Sequence, residues 1–214
     1  MEEFFDNLPY EDALDIEQAA KTIYELREQR AKILAGLAVA DEAALLERIR
    51  SGALPEHPAY EQFLSASILD ATREALRQQL AGELVRYNGS GIVREEGASF
   101  EFSPVYLKPQ IEAACADVLE GEATAMQDAL LLRLVNGVTV ELRVFSSQHY
   151  CFSWLWGEAL LRIDTAPLAE SSGSHFHDLD GQRQPDPVTV PGDAPMTNIG
   201  RLLKALAENP LLGS

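Results

Sequence analysis

Apolar side chains recur with two different periods along this chain, and the change of period divides it. Ile16, Ala19, Ile23, Leu26, Arg30, Ile33 and Leu37 follow alternating steps of three and four, the spacing that gathers side chains on one stripe of an α-helix. Arg30 is the single polar interruption. Asp41 is a good N-cap for a short second helix carrying Leu45, Leu46 and Ile49, and Gly52 is its expected stop. After GALPEHP, a turn with two prolines, Ala59 to Ala81 places Tyr60, Phe63, Leu64, Ser67, Ile68 and Ala71 at helical spacing. Residues 1–81 therefore read as a helical subdomain, two long helices around a short one.

From Gly82 onward the pattern predicts a sheet. ELVRYNGSGIVREEG holds Asn88-Gly89 between β-capable runs, and SFEFS, from Ser99, alternates Phe100 and Phe102, so a strand pair is expected here. Lys108 to Glu120 reads as an amphipathic helix starting at Pro109 and closed by Gly121. The segment ALLLRLVNGVTVELRVF, from Ala129, is the clearest local signal: Asn-Gly between apolar-rich runs marks an antiparallel hairpin. A two-residue turn would set Arg133 opposite Val140. A three-residue loop of Val135, Asn136 and Gly137 instead pairs Leu134, Leu132 and Leu130 with Val138, Val140 and Leu142, gathering the apolar side chains on one face with Arg133 opposite Thr139 on the other. Tyr150 to Trp156 and Ala159 to Asp164 form another pair turned at Gly157 and Glu158. The expected fold class is α+β: the N-terminal helical subdomain, then a mainly antiparallel sheet of four to six strands flanked by helices. Residues 82–214 form the sheet domain, unless both regions share one continuous domain. Within it, residues 165–196 hold five prolines and little periodicity, so they read as a long loop, with Ser171 to Pro195 expected to be mobile. The chain closes with a helix capped at Thr197 or Asn198, buried through Ile199, Leu202, Leu203 and Leu206, and stopped at Asn209 and Pro210.

Charge narrows the partners. Thirty-four acidic and 17 basic residues give a formal −17, which argues against phosphate neutralisation on nucleic acid and against an anionic membrane surface. A partner should be neutral or basic. The N-terminus, MEEFFDNLPYEDALD, is acidic where a secretory leader would be basic, and no apolar run approaches the ~20 residues of a membrane span, so a cytoplasmic protein is expected. Cys115 and Cys151 stand outside any CxxC pair, which excludes a disulfide scaffold or an all-cysteine zinc site.

No motif names a reaction. GxSxG is absent, the GSG at Gly89 to Gly91 is not followed by a lysine, and DLDG lacks the remaining ligands of a calcium loop. The best metal candidates are His175, His177, Asp178 and Asp180 in SHFHDLDG, where two imidazoles one residue apart point the same way from extended chain. The alternating aromatics Tyr150, Phe152, Trp154 and Trp156 share one face, as core or as a ligand platform, and Arg133 and Arg143 offer an anion site or cross-strand ion pairs. The reading these features favour is a non-catalytic cytosolic accessory or regulatory protein that binds another protein and needs no cofactor. A homodimer through the N-terminal stripe is expected unless the third helix covers it. The alternatives are a metal-dependent enzyme built on the histidine cluster and a small-ligand-binding domain using the aromatic strand.

Overall fold

In the computed structural model, residues 10–87, 100–168 and 173–213 are described, side chains at 84–87 aside. Three helices open the chain, α1 (Tyr10–Gly36), α2 (Glu42–Arg50) and α3 (Glu56–Tyr87), and α4 (Pro104–Ala114) follows. A sheet of seven strands comes next: β1 (Thr124–Ala125), β2 (Leu130–Arg133), β3 (Thr139–Ser146), β4 (His149–Trp156), β5 (Ala159–Asp164), β6 (His175–His177) and β7 (Arg183–Pro185), with α5 (Pro195–Glu208) last. Every strand pairs antiparallel with its neighbour in sequence, so the sheet is a meander. The class is α+β as expected, with α1 to α4 before the sheet and α5 after it.

Local chemistry sets most of the element ends. Asp41 accepts the Ala44 backbone N–H at 2.8 Å and caps α2, while Gly52, at φ 72°, takes up the chain after it. In the first hairpin Leu130 pairs with Leu142, Leu132 with Val140 and Arg133 with Thr139. The Leu134 N–H donates to Val138 O and the Gly137 N–H to Leu134 O, both at 2.8 Å. Gly137 at φ 90° is the glycine bulge of the three-residue loop.

Strand alternation gives the sheet two different faces. On one, Leu132, Val140, Tyr150, Phe152, Leu161 and Phe176 pack beneath α4 and α5 in a dry core, to which α5 adds Ile199, Leu202, Leu203 and Leu206. On the other, Cys151 and Ala166 join Leu34, Leu45, Ile49, Tyr60 and Leu64 of the first three helices. Helices therefore lie on both sides of the sheet. The α1 stripe buries Ile16, Leu26 and Leu34, and α1 packs along α3 within the chain. The interrupting Arg30 bonds Glu42 at 2.6 Å and reaches Asp70 at 3.4 Å. The stripe therefore faces α3 within the chain, with Ile16 and Leu26 buried and Ala19, Ile23, Ile33 and Leu37 half-buried.

Other expectations are corrected. Helix α3 runs to Tyr87 and not only to Ala81; Asn88 to Ser99 lie outside the described residues. Phe100 to Ser103 form a turn instead of a strand, because the Ser103 hydroxyl accepts the Tyr106 N–H and Pro104 sits in the first turn of α4. That cap starts α4 earlier than Lys108 and leaves Pro109 inside it. The strands number seven because β1, β6 and β7 have only two or three residues each, too few for a periodic signal. The segment read as a long loop contains two of them. Helix α5 starts at Pro195 without a side-chain cap, and Asn198 is buried, bonded to the backbone of Val190 through both amide atoms. Among the described residues no helix is long and apolar enough to cross a membrane.

Candidate metal centre

His-Phe-His on β6 is a strand with its polarity inverted. Phe176 turns into the core and stacks on Trp154, ring centroids 5.9 Å apart, which fixes the strand and sends both imidazoles to the opposite, helix-covered face. Pairing places Asp164 beside His175 and Arg162 beside His177 on that face. Glu56 arrives from the N-terminal end of α3, where His57 is still extended (φ −102°, ψ 131°). Four side chains from three elements then meet: donor atoms of Glu56, Asp164, His175 and His177 all lie within 4.8 Å of one another. His175 Nε2 is 2.6 Å from Glu56 Oε1 and 3.1 Å from Asp164 Oδ1. His177 Nε2 is 2.9 Å from the same Glu56 oxygen and 3.5 Å from Asp164 Oδ2.

Burial alone would push both imidazoles toward the neutral form and both carboxyls toward protonation. The mutual hydrogen bonds win. They raise His175 to about 9 and raise His177, and they hold Glu56 and Asp164 below the ordinary carboxylate range. Arg162 backs the cluster: its Nε donates to Asp164 Oδ2 at 3.0 Å and its Nη1 lies 3.5 Å from Glu61 Oε1. Its Nη2 is 3.3 Å from each ring nitrogen of His177, so it rests against the ring and on neither lone pair. Glu56, Glu61 and Asp164 against Arg162 leave −3 + 1 = −2 in an enclosed space, with Arg183 and His57 at a half-exposed rim. Two imidazolium protons cancel that charge. So would one divalent cation held by neutral imidazoles, and two nitrogen and two oxygen donors suit zinc or another borderline transition metal.

Of the four sequence candidates, only His175 and His177 enter this cluster. Asp178 is half-buried and accepts the N–H groups of Asp180 and Gln182, closing the turn into β7, and Asp180 is exposed. The other two members, Glu56 and Asp164, were not picked out from sequence. Glu56 sits in a proline turn 119 residues before His175, a separation that no local pattern bridges. Asp164 carried one usable sign, a carboxylate ending a strand otherwise apolar on alternate positions.

The ligand-platform residues lie elsewhere. Tyr150, Phe152 and Trp154 are buried in the core under α5, which removes them from ligand access, while Trp156 is 38% exposed at the hairpin end. Arg133 pairs with Glu120 at 2.6 Å, and Arg143 joins Asp128, Glu141 and Ser65 between α3 and the sheet. Both arginines are held by carboxylates of the chain itself. Cys151 shares the helix-covered face, and burial pushes its thiol well up, away from the reactive thiolate.

Comparison with known proteins adds one finding. Residues 17–84 match the family described as "Uncharacterized protein MJ0235 family", a stretch of α1 to α3 that includes Glu56 but not Asp164, His175 or His177. No curated protein and no solved structure gives a significant match.

Proposed function

We propose that this protein binds one divalent transition-metal ion, of the zinc type, through Glu56, Asp164, His175 and His177, and works by binding and not by catalysis. The convergence of four donor atoms within 4.8 Å carries the reading. Four protein donors fill a tetrahedral shell, the arrangement of structural zinc sites, whereas catalytic zinc keeps a position open for water or substrate. The ion would fasten the start of α3 to β5 and β6, so its role is to fix the helical layer on the sheet.

Purification without a histidine tag, followed by elemental analysis and zinc titration, tests this. One equivalent per chain is expected, with chelator lowering the thermal midpoint of the native protein and leaving a His175→Ala, His177→Ala double variant unmoved. Absence of stoichiometric uptake by the native chain, with no midpoint response to zinc, rejects the metal reading in favour of a proton-neutralised ion network.

A protein partner in the cytoplasm remains the proposed context, and one observation supports it. Tyr10, Leu14 and Tyr24 are 77%, 46% and 56% exposed and, at ~100° per residue, fall within a ~80° arc of α1 on the side away from its buried stripe. Exposed aromatic side chains on a long helix suit a partner surface.

A further inference from the structure

The candidate metal centre is nearly sealed, for the side chains of Glu56, Asp164, His175 and His177 are 12%, 2%, 6% and 10% exposed. A divalent ion does not enter such a space bare, because stripping its water without replacement costs far more than the passage returns, so donors must take over its hydration shell step by step. The way in therefore has to carry donors of its own. Arg183 and His57 stand at the rim, 48% and 49% exposed. Arg183, whose Nε lies 3.9 Å from Glu56 Oε2, is a permanent cation and repels a metal ion on its side. His57 does the opposite. Its Nδ1 is bonded to Glu61 Oε1, four residues on along α3, so an imidazole nitrogen and a carboxylate oxygen, the donor types of the centre itself, stand together at the surface. Glu61 leads inward: Arg162 joins it to the centre, with Nη1 3.5 Å from Glu61 Oε1 and Nη2 4.0 Å from Glu56 Oε1. Glu61 is held through that one oxygen, since its Oε2 is buried without a hydrogen-bond partner among the described residues, and the carboxylate can turn with an ion while breaking few bonds.

We infer that His57 and Glu61 form the entry port of the metal centre, a transient site that captures a divalent transition-metal ion from water and hands it to Glu56. This rests on the four-donor centre being a metal site, as proposed above. The incoming charge displaces the Arg162 guanidinium from between the two carboxylates, and Glu56, the ligand next to His57 in the chain, takes the ion first. A port acts on rates alone. It holds no metal before or after the transfer, so it changes uptake and release by one common factor and leaves their ratio, the dissociation constant, as it was. A residue that merely supports the ligands behaves differently, because its loss weakens metal affinity about 10- to 100-fold.

The test uses the full chain with zinc ion alone as the probe. Uptake by metal-free protein is timed by stopped flow against a fluorescent zinc indicator, and release is timed at several EDTA concentrations, taking the part that does not depend on EDTA. His57→Gln keeps an N–H donor for Glu61 and loses the ring nitrogen that zinc would take. Uptake and release should both slow by about tenfold, the lower end of what a charged, donor-lined approach adds to capture rates. Native rates in His57→Gln, or a loss of affinity carried by release alone, overturns the port and leaves the centre standing. A native chain that takes up no zinc removes centre and port together. If the glutamine variant fails to fold, His57→Ala is read by the same outcomes.

Discussion

Trp154 shows how one side chain can hold several layers at once. It is 1% exposed, stacks on Phe176 and donates its indole N–H to Pro210 O at 2.8 Å, so the strand that carries the imidazoles and the chain after α5 both lean on it. Replacement by alanine removes a large apolar volume and leaves the half-buried Pro210 carbonyl without its indole donor. Trp154→Ala should therefore destabilise the fold by about 3–5 kcal/mol, read as a shift in the urea midpoint with little change in slope. A midpoint within error of the native value would remove the tryptophan from the core. Phe176 transmits the damage to His175 and His177, since its burial is what turns them toward α3.

At the level of elements, the β2–β3 hairpin does more than reverse the chain. Asn136 Nδ2 donates to Leu206 O at 2.9 Å and Ala207 O at 3.2 Å, so the turn caps the carbonyl end of α5 and ties that helix to the far end of the sheet. The turn depends on Gly137 at φ 90°, a conformation that costs a residue with a Cβ about 1–2 kcal/mol. Gly137→Ala should lower stability by that amount and loosen α5 as well, seen as faster amide exchange at Leu202 and Leu206. Exchange confined to the hairpin would show that the cap contributes nothing to the helix. The hairpin and its register were legible in sequence because turn chemistry and alternation pointed the same way. The early start of α4 was not, since Phe100 and Phe102 mimic a strand until Ser103 and Pro104 claim the helix terminus.

For the whole molecule, the joint between α3 and the sheet should be the pH-sensitive part of the fold. In metal-free protein a folded His175 near 9 against its ordinary 6.5 means that the native state holds the proton more tightly. That contribution is complete below pH 6.5 and is lost as pH rises through about 9. Asp164, held below its ordinary 3.8, contributes in the other sense, fully above that value and less as pH falls. Thermal midpoints in chelator should therefore decline from pH 6.5 to 9, and zinc should flatten the decline, because metal binding strengthens as the imidazoles lose protons. A flat profile in chelator would mean that the cluster does not hold its protons in the folded state.

The amino-acid sequence by itself determined the class, the first hairpin with its register, the cap of α2, the central β4–β5 pair and the terminal helix, because each is set by neighbours within a few residues. It also determined that Tyr150, Phe152 and Trp154 share a face. The tertiary structure decided which face meets which helices, and so turned Tyr150, Phe152 and Trp154 into core and brought Asp164, His175 and His177 on the other face against Glu56. It alone joined Glu56 to a strand 119 residues away, paired three-residue β6 with β5, and turned part of an apparent loop into a candidate metal centre. Short strands hold too few residues for a period, and a site assembled from three elements exists only once packing has brought their backbones together.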